Sequence, residues 1–321
     1  MRAIVHNTYG SPDVLEFHEV EKPDVTDDGV LVRVRAASIN PADMYALSGR
    51  PLLVRARGGL FKPKDNRIGI DFAGTVEAVG KDVTEFRVGD EVFGGKSGAL
   101  AEYISVRDRF ALKPANLTFE EAASVPVAAV TALQGLRDKG KLLPGQKVLI
   151  NGASGGVGTF ALQIAKVLGA EVTGVCSSRN VELVRSLGAD HVIDYTHEDY
   201  THSDRRYDLI LDLVGNKSWS ESRRILNPQG IFVIVGAPKG GALIGPLSHI
   251  AKVRISAFRS SQKVLFFIAQ MNKADLMVLR ELLESGNVKS VIDKNYLSSQ
   301  MADAFCHLGE GHAQGKIVLT L

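Results

Sequence analysis

Cysteine is scarce in this chain: Cys176 and Cys306 are the two thiols among 321 residues. Two distant cysteines exclude a disulfide scaffold and a multi-cysteine zinc site. An excess of one charge sign is missing as well, because 38 Lys and Arg face 36 Asp and Glu, a formal net charge of +2. Without a broad basic field or a run of like charges, the composition gives no support to binding of nucleic acid or of a membrane surface.

Long apolar runs are also missing, and no cleavage signal follows the start of the chain. The sequence opens Met-Arg-Ala-Ile-Val-His and moves directly into a strand-like pattern. We therefore expect a cytoplasmic location, although a chain from which a targeting peptide had been trimmed would look the same. With 321 residues, 45% of them hydrophobic, the chain has room for two domains with cores of ordinary size.

The most informative feature that is present is a glycine cluster directly after a short apolar run, within the segment from Lys147 to Gly158. Glycine permits a tight turn out of a strand and a close approach of backbone N–H groups to a pyrophosphate. A helical pattern follows from Thr159 to Leu168, so strand, loop and helix come in the order of a dinucleotide-binding unit. A plain glycine-rich connection is the competing interpretation. The cofactor contacts predicted in this loop are Ser154, Gly155, Gly156 and Val157.

The end of the next strand pattern indicates which dinucleotide binds. NAD-binding proteins usually place a carboxylate about twenty residues beyond the glycines, on the ribose 2′-hydroxyl. This chain has Ser177, Ser178 and Arg179 there. Two hydroxyls and a guanidinium suit a 2′-phosphate, which favours NADPH over NADH. The two serines also fit a simple helix cap, with Arg179 as a solvated surface charge.

The pattern of predicted secondary structure changes near residue 115. Before that point, short strand patterns separated by turns predict a β-rich domain, and after it helices and strands alternate, as in a doubly wound parallel sheet. We expect the last strand, from Lys316 to Leu321, to return to the first domain. The predicted domains are 1–118, completed by about 286–321, and 119–285. The strands predicted in the second domain are Lys147 to Ile150, Glu171 to Ser177, His191 to Asp194, Leu209 to Val214, Ile231 to Val235 and Ile255 to Ala257.

Four segments together resemble the medium-chain dehydrogenase/reductase superfamily in their order and spacing. They are Ser38 to Asp43, Gly69 to Gly80, Val88 to Phe93 and Asn151 to Gly158. The resemblance implies an α/β protein with a GroES-like β-barrel catalytic domain and a Rossmann domain, a doubly wound parallel sheet that binds the cofactor.

Departures from the superfamily pattern indicate the branch. The zinc alcohol dehydrogenases carry a cysteine ligand where this chain has Asn40, and a His-Glu pair where it has Ile70 and Asp71. The four-cysteine structural zinc lobe is missing too, so we expect no metal. The chain is most similar to the zinc-independent quinone reductases and the alkenal/enone reductases, especially over the segments from Val175 to Asp190 and from Gly311 to Lys316. That similarity again favours NADPH.

This branch implies an enzyme that passes a hydride from NADPH to a quinone or an α,β-unsaturated carbonyl. The resulting enolate needs hydrogen-bond donors, and the family's catalytic positions carry Asn40, Asp43 and Tyr45. Asn40 is the first candidate donor, to the substrate carbonyl or to the cofactor amide, although it also fits an amide that closes the turn before Pro41. Tyr45 fits an aromatic wall better than a proton donor. Asp43 fits a residue that orients its neighbours as well as a helix-start carboxylate.

Further cofactor contacts follow from the resemblance and from strand ends, where ligands of doubly wound sheets collect. Some of these positions have plainer interpretations: Thr131 fits a buried helical threonine, Tyr195 a packed strand end, and the glycines ordinary turns. Lys316 begins the last strand and also fits an ordinary strand residue, so it is a weaker candidate than Gln314. The predicted contacts are Thr131, Tyr195, Val214, Gly236, Gln314 and Lys316.

Two rival functions stay open at this point. One is reversible alcohol dehydrogenation by an NAD(P)-dependent enzyme, for which the chain offers no evident base in place of zinc. The other is a nonenzymatic NADPH-binding sensor or structural protein. The sequence does not name the physiological acceptor or the proton donor. The oligomeric state also stays open, although the family often forms homodimers by joining Rossmann sheets at an edge strand.

Overall fold

A computed structural model of the chain describes residues 1–236, 246–258 and 260–321. The strands are β1 Arg2–His6, β2 Leu15–Glu19, β3 Val30–Ile39, β4 Asp71–Val79, β5 Glu91–Gly95, β6 Tyr103–Val106, β7 Phe110–Leu112, β8 Lys147–Asn151, β9 Glu171–Cys176, β10 His191–Asp194, β11 Tyr207–Asp212, β12 Leu226–Ile234, β13 Lys263–Phe266, β14 Ile292–Leu297 and β15 Lys316–Thr320. The helices are α1 Pro41–Ser48, α2 Leu53–Gly58, α3 Phe119–Ala123, α4 Pro126–Leu133, α5 Gly156–Val167, α6 Val181–Ser186, α7 Trp219–Ser222, α8 Pro246–Ser256, α9 Lys273–Glu284 and α10 Met301–Glu310. Within the described ranges, no helix has the length and apolar character needed to cross a membrane.

The chain divides into two compact units. Unit 1 contains Met1–Val130, Met271–Gly286 and Ser290–Leu321, and unit 2 contains Thr131–Gln270 and Asn287–Lys289. These limits differ from the sequence boundaries at 118 and 285, because α3 packs on β3 and β4 and α9 packs on β7, all elements of unit 1. The limit between the two units falls inside α4.

Unit 1 is built around a seven-stranded sheet with the order β14-β15-β3-β4-β5-β7, in which β6 also pairs with β3. Strand β15 pairs antiparallel with β3 and parallel with β14, so a late segment lies in the middle of a sheet that begins near residue 30. The side chains of Ile317, Val318 and Leu319 are buried. The register sets Ile317 opposite Ile39, and Ser38 opposite Asp71 on β4. This register places the beginnings of β4 and β15 beside the end of β3.

Unit 2 contains a six-stranded parallel sheet with the order β10-β9-β8-β11-β12-β13. This order, with the first strand in the middle and helices between successive strands, is that of a doubly wound dinucleotide-binding sheet, and it confirms the predicted fold class. The central strands β8 and β11 are almost entirely buried and apolar at their centres, as expected of strands covered on both faces.

One predicted strand of this sheet is wrong. The segment from Ile255 to Ala257 forms the end of α8 and the turn after it, and the sixth strand is Lys263–Phe266. A short apolar triplet occurs in helices as well as in strands, so periodicity alone could not distinguish them. In the structure Val253 and Ala257 lie four residues apart, and both are buried in the unit 2 core.

Candidate active site

The glycine loop lies at the carboxyl end of β8 in unit 2. Gly152 has a φ of +88°, a left-handed conformation that favours glycine. The N–H groups of Gly152 and Ala153 donate to the carbonyl of Val175 on β9, at 3.2 and 3.0 Å. Helix α5 then begins at Gly156, and no side chain caps it at the preceding Gly155. The first N–H groups of a helix lack intrahelical acceptors, so this uncapped end suits an anion.

The glycines of the loop serve two different purposes. A Cβ at Gly158 would lie 2.2 Å from the carbonyl oxygen of Gly152, so Gly158 is needed for the loop to pack on its own helix. A Cβ at Gly155 would meet only that same oxygen, at 3.6 Å, an ordinary contact distance. The space beside Gly155 is therefore open. An open space at an uncapped helix start fits the pyrophosphate of a dinucleotide.

Asn180 joins the loop to the end of β9. Its Nδ2 donates to the hydroxyl oxygens of Ser154 at 2.8 Å and Ser177 at 3.2 Å. The Asn180 side chain is buried, and its Oδ1 has no hydrogen-bond partner among the described residues. A buried acceptor of this kind fits a polar ligand. Sequence reasoning missed Asn180, although its place directly after Ser-Ser-Arg was a usable signal. The neighbouring Arg179 has an exposed side chain.

A carboxylate that the sequence analysis overlooked stands on the adjacent strand. Asp194, at the end of β10, pairs in register with Cys176 at the end of β9. Hydrogen bonds from the hydroxyls of Ser178 and Thr196 hold the pKa of Asp194 at about 2. Its Oδ1 accepts from the N–H and the hydroxyl of Thr196 at 2.9 and 2.7 Å. Tyr195 follows with half of its side chain exposed, while its N–H donates to the carbonyl of Cys176.

The residues after β11 and β12 lie at the same carboxyl end of the sheet. Asp212 is buried, and its Oδ1 accepts from Asn151 Nδ2 at 2.8 Å and from the N–H of Val214 at 3.2 Å. Burial raises the pKa of Asp212. A Cβ at Gly236 would lie 1.8 Å from the carbonyl oxygen of Leu213, so only glycine fits there. The predicted Ser154 to Val157 loop, the end of β9, Val214 and Gly236 therefore all lie at the carboxyl ends of the parallel strands.

In unit 1, the predicted catalytic residues surround the start of α1. Asp43 accepts the backbone N–H of Asn40 at 2.8 Å and so caps the helix. Burial raises the pKa of Asp43 to about 7, with a smaller contribution in the same direction from the negative charge of Asp71. Tyr45, one turn further along, is half-buried, and burial raises the pKa of its phenol.

A buried polar network surrounds the Asn40 side chain, which is 3% exposed. Asn40 Nδ2 donates to Asp71 Oδ2 at 3.0 Å, and Lys316 Nζ donates to Asn40 Oδ1 at 2.5 Å. Lys316 Nζ also lies 3.3 Å from Asp71 Oδ2, which accepts from Ser38 Oγ at 3.0 Å. The resemblance predicted Lys316 as a cofactor contact, while neither Ser38 nor Asp71 was predicted to act in the site. They come together through the register of β3, β4 and β15, which spacing along the chain does not reveal.

The remaining predicted contacts lie near these elements. Thr131 is buried on α4, one turn after Val127, whose N–H donates to Asp71 Oδ1 at 2.9 Å. Gln314 is half-buried, just before β15. In the part of the chain that the structure describes, no three His, Cys, Asp or Glu side chains lie close enough together to hold a metal ion.

Comparison with known proteins identifies relatives that are dehydrogenases and reductases. Residues 26–116 match the family described as alcohol dehydrogenase GroES-like domain, and residues 187–319 match the family described as zinc-binding dehydrogenase. The chain is 35% identical to 2-methylene-furan-3-one reductase from Solanum lycopersicum, over 99% of this chain and 79% of the relative. It is also 35% identical to a chloroplastic NADPH-dependent alkenal/one oxidoreductase from Arabidopsis thaliana, with the same coverage.

Solved structures give the same result. The quinone oxidoreductase from Coxiella burnetii superposes with a TM-score of 0.88 at 30% identity, covering 100% of this chain and 99% of that one. A match of this extent covers both compact units. The chain therefore belongs to the medium-chain dehydrogenase/reductase superfamily, in its quinone oxidoreductase and alkenal/enone reductase branch.

Proposed function

We propose that this protein is an NADPH-dependent oxidoreductase that transfers a hydride to quinones or to α,β-unsaturated carbonyls. The observation that carries the proposal is the group of residues at the carboxyl ends of the unit 2 strands. There an open, uncapped helix start lies beside Ser177, Ser178 and Arg179, in a chain that is 35% identical to an enzyme named for its NADPH dependence.

Unit 2 supplies the groups that would hold the dinucleotide. The first N–H groups of α5 and the Ser154 to Val157 loop hold the pyrophosphate, and Ser177, Ser178 and Arg179 hold the 2′-phosphate. Ser178 is hydrogen-bonded to Asp194 and Thr196 in the structure, so its hydroxyl hydrogen has to be redirected to donate to the 2′-phosphate. The other proposed contacts are Thr131, Tyr195, Val214 and Gly236 in unit 2, and Gln314 and Lys316 in unit 1.

Unit 1 supplies the groups that act on the substrate. The bound nicotinamide provides the hydride, and the protein has to stabilise the negative charge that develops on the substrate oxygen. We assign this role to the side-chain amide of Asn40, through an Nδ2 hydrogen. Tyr45 lines the wall of the site, and burial raises the pKa of its phenol, which makes it a weaker proton donor than an exposed tyrosine. Asp43 fixes the backbone of Asn40.

Zinc independence is part of the proposal, against the wording of one family description. Asn40 and Asp71 stand where the zinc enzymes carry ligands, and Asn40 offers a neutral amide. Asp71 already accepts hydrogen bonds from Ser38, Asn40 and the ammonium of Lys316. A lysine cation adjacent to these groups disfavours a second cation at the same place. This arrangement weighs against alcohol dehydrogenation by a zinc-bound alkoxide.

Assembly and location extend the proposal. Strand β13 forms one edge of the unit 2 sheet, and an open edge strand can pair with its counterpart in a second copy. We propose a homodimer through this edge and a cytoplasmic location. Light scattering after size-exclusion chromatography gives the mass of the assembly directly, and a monomer mass at micromolar concentration would remove the dimer.

The deciding experiment follows the loss of reduced-nicotinamide absorbance with NADPH and then NADH, against a panel of quinones, alkenals and alkenones, with and without a chelator. We expect turnover that prefers NADPH and is insensitive to the chelator. Intact NADPH binding without any turnover would indicate the sensor or structural protein. Chelator-sensitive oxidation of alcohols would indicate the dehydrogenase.

A further inference from the structure

Lys316 is a buried lysine whose three ammonium hydrogens all have acceptors nearby. Its side chain is 4% exposed. The acceptors are Asn40 Oδ1 at 2.5 Å, Asp71 Oδ2 at 3.3 Å and the carbonyl oxygen of Ile39 at 3.4 Å. The pairing of Ile317 with Ile39 places Lys316 at this point, at the start of β15. Because all three acceptors belong to unit 1, we look for the role of Lys316 within that unit.

The two charged neighbours of Asn40 select one orientation of its amide. An ammonium only donates hydrogen bonds and an ionised carboxylate only accepts them, so Lys316 faces Oδ1 and Asp71 faces Nδ2. A flipped amide would set its NH2 group against the ammonium and its oxygen against the carboxylate. Both charged neighbours favour the observed orientation, so loss of either one lowers the free-energy cost of the flip.

This orientation leaves one hydrogen available. Asn40 Nδ2 carries two hydrogens, and Asp71 takes one of them. The Asp43 carboxyl also lies near the Asn40 side chain, but the interaction between them is the smallest influence on the pKa of Asp43. Among the described residues, Asp71 is the acceptor that Nδ2 reaches with full hydrogen-bond geometry. An oriented donor with a hydrogen to spare is what a developing enolate oxygen requires, because it costs no reorganisation during hydride transfer.

We propose that Lys316 is a positioning residue for the reaction: it locks the Asn40 amide in the orientation that presents its second Nδ2 hydrogen to the substrate carbonyl. This inference rests on the proposed function, since the substrate oxygen is the acceptor. Lys316 itself does not touch the substrate in this assignment and acts through Asn40. The lysine that the resemblance placed beside the cofactor thus gains a role in the catalytic domain.

A purely structural ion pair is the interpretation to be excluded, and the chain offers a matched control for it. Lys113 is also buried in unit 1, and its ammonium lies 3.1 Å from both the carbonyl oxygen of Pro114 and a carboxylate oxygen of Glu91. It makes no contact with Asn40. Lys113→Met therefore removes a buried, paired ammonium from the same unit without disturbing the amide.

The kinetic test compares Lys316→Met, Lys113→Met, Asn40→Ala and the double variant Lys316→Met/Asn40→Ala. We expect Lys316→Met and Asn40→Ala each to lower kcat about tenfold or more. The double variant should be no slower than Asn40→Ala, because Lys316 acts through that residue. Lys113→Met should keep the wild-type kcat. Losses that multiply, or an equal loss in Lys113→Met, would overturn the proposal.

Removal of the ammonium leaves the Asp71 carboxylate buried without its cation, and this unpaired charge lowers the stability of Lys316→Met. The variant Lys316→Met/Asp71→Asn removes both charges and keeps the network neutral. We expect its Tm to rise above that of Lys316→Met while kcat, measured at saturating NADPH, stays low. Recovery of kcat together with Tm would show that the lysine serves folding alone.

A readout without turnover observes the amide directly. In protein labelled with ¹⁵N-asparagine, the Asn40 side-chain signals are those that disappear in Asn40→Ala. Lys316→Met should shift these signals and speed their hydrogen exchange, while Lys113→Met should leave them in place. Unchanged signals in Lys316→Met would refute the positioning role. If the wild type reduces no quinone or enone, the proposed function fails, and the amide signals still decide whether Lys316 orients Asn40.

Discussion

Arg179 carries the proposed choice of cofactor at the scale of a single residue. Its guanidinium is exposed at the end of β9, directly after the hydroxyls of Ser177 and Ser178. Arg179→Ala should raise the Kd for NADPH about tenfold or more, because a charge-assisted bond to the 2′-phosphate is lost. The Kd for NADH should hardly change. Separate fluorescence titrations with the two cofactors measure both constants.

A matched control for this test lies on the next helix. Arg185 on α6 is also exposed and pairs with Glu182 at 2.8 Å. Arg185→Ala removes one positive charge from the same region without touching the serine-rich turn. Equal losses for NADPH and NADH in Arg179→Ala, or the same loss of NADPH affinity in Arg185→Ala, would contradict the phosphate contact.

Asp43 makes stability depend on pH in an unusual direction. Because burial raises its pKa from 3.8 to about 7, the folded protein keeps a proton that the unfolded chain releases between about pH 4 and pH 7. The free energy of unfolding therefore falls through this window as pH rises, and the contribution is constant above it. Asp43→Asn keeps an oxygen that can accept the Asn40 N–H but cannot titrate.

The prediction is that Tm falls less between pH 5 and pH 8 in Asp43→Asn than in the wild type. Thermal unfolding in a series of buffers measures it. Asp108→Asn serves as the control, because the Asp108 side chain is 82% exposed and lies at the protein surface. Parallel pH curves for the wild type and Asp43→Asn would show that Asp43 does not hold the extra proton.

The sequence was sufficient to predict that site residues close together along the chain also lie close together in the structure. Asn40, Asp43 and Tyr45 are within one short segment, and the structure places them at the start of α1. The contacts of Asn40 with Asp71 and Lys316 depend on which strands are neighbours and in which register they pair. A residue pattern does not contain that information until the sheet is assembled, so the oriented amide could not be foreseen.

At the scale of elements, the glycine loop gives a paired prediction. Gly155 has φ −80° and ψ 175°, which alanine adopts without strain, and its Cβ would make an ordinary contact. Gly155→Ala should therefore keep its Tm within a few degrees while NADPH binds more weakly, because a methyl group enters the open space. Gly158→Ala should lose about 3 kcal/mol of stability, since its Cβ would lie 2.2 Å from a carbonyl oxygen.

Thermal unfolding and NADPH titration of the two variants separate the packing role from the binding role. Wild-type affinity in Gly155→Ala would argue that no ligand approaches the start of α5 at that point. Wild-type stability in Gly158→Ala would show that the loop can move away from its own helix.

The elements of unit 2 were the easier part of the fold to predict. Buried parallel strands are short, apolar and separated by turns, and the strands around β8, β9 and β11 follow that pattern. The error at Ile255 to Ala257 arose because the same residue types complete α8, whose buried positions recur with helical spacing. The true edge strand, Lys263–Phe266, contains only four residues, too few for a period to stand out.

At the scale of the whole molecule, unit 1 depends on β15. Val318 is fully buried in the strand that joins β14 to β3. Val318→Asp should unfold unit 1, because a charge in the centre of a sheet finds no partner and costs about 4 kcal/mol or more. Limited proteolysis should then cut within residues 1–130 far faster than within residues 131–270. Val88→Asp is the control, since Val88 is 63% exposed, and it should resist proteolysis like the wild type.

The pairing of Ile39 with Ile317 also has a consequence for synthesis on the ribosome. Chains grow from the N-terminus, and domains generally fold as units while they emerge. Residues 131–270 are complete while the second half of β3, from Ala36 to Ile39, still has an unpaired edge, and that edge stays open until β15 is made. During translation, unit 2 can therefore fold before unit 1 is complete, and the open edge of β3 is exposed to aggregation until residue 316 emerges.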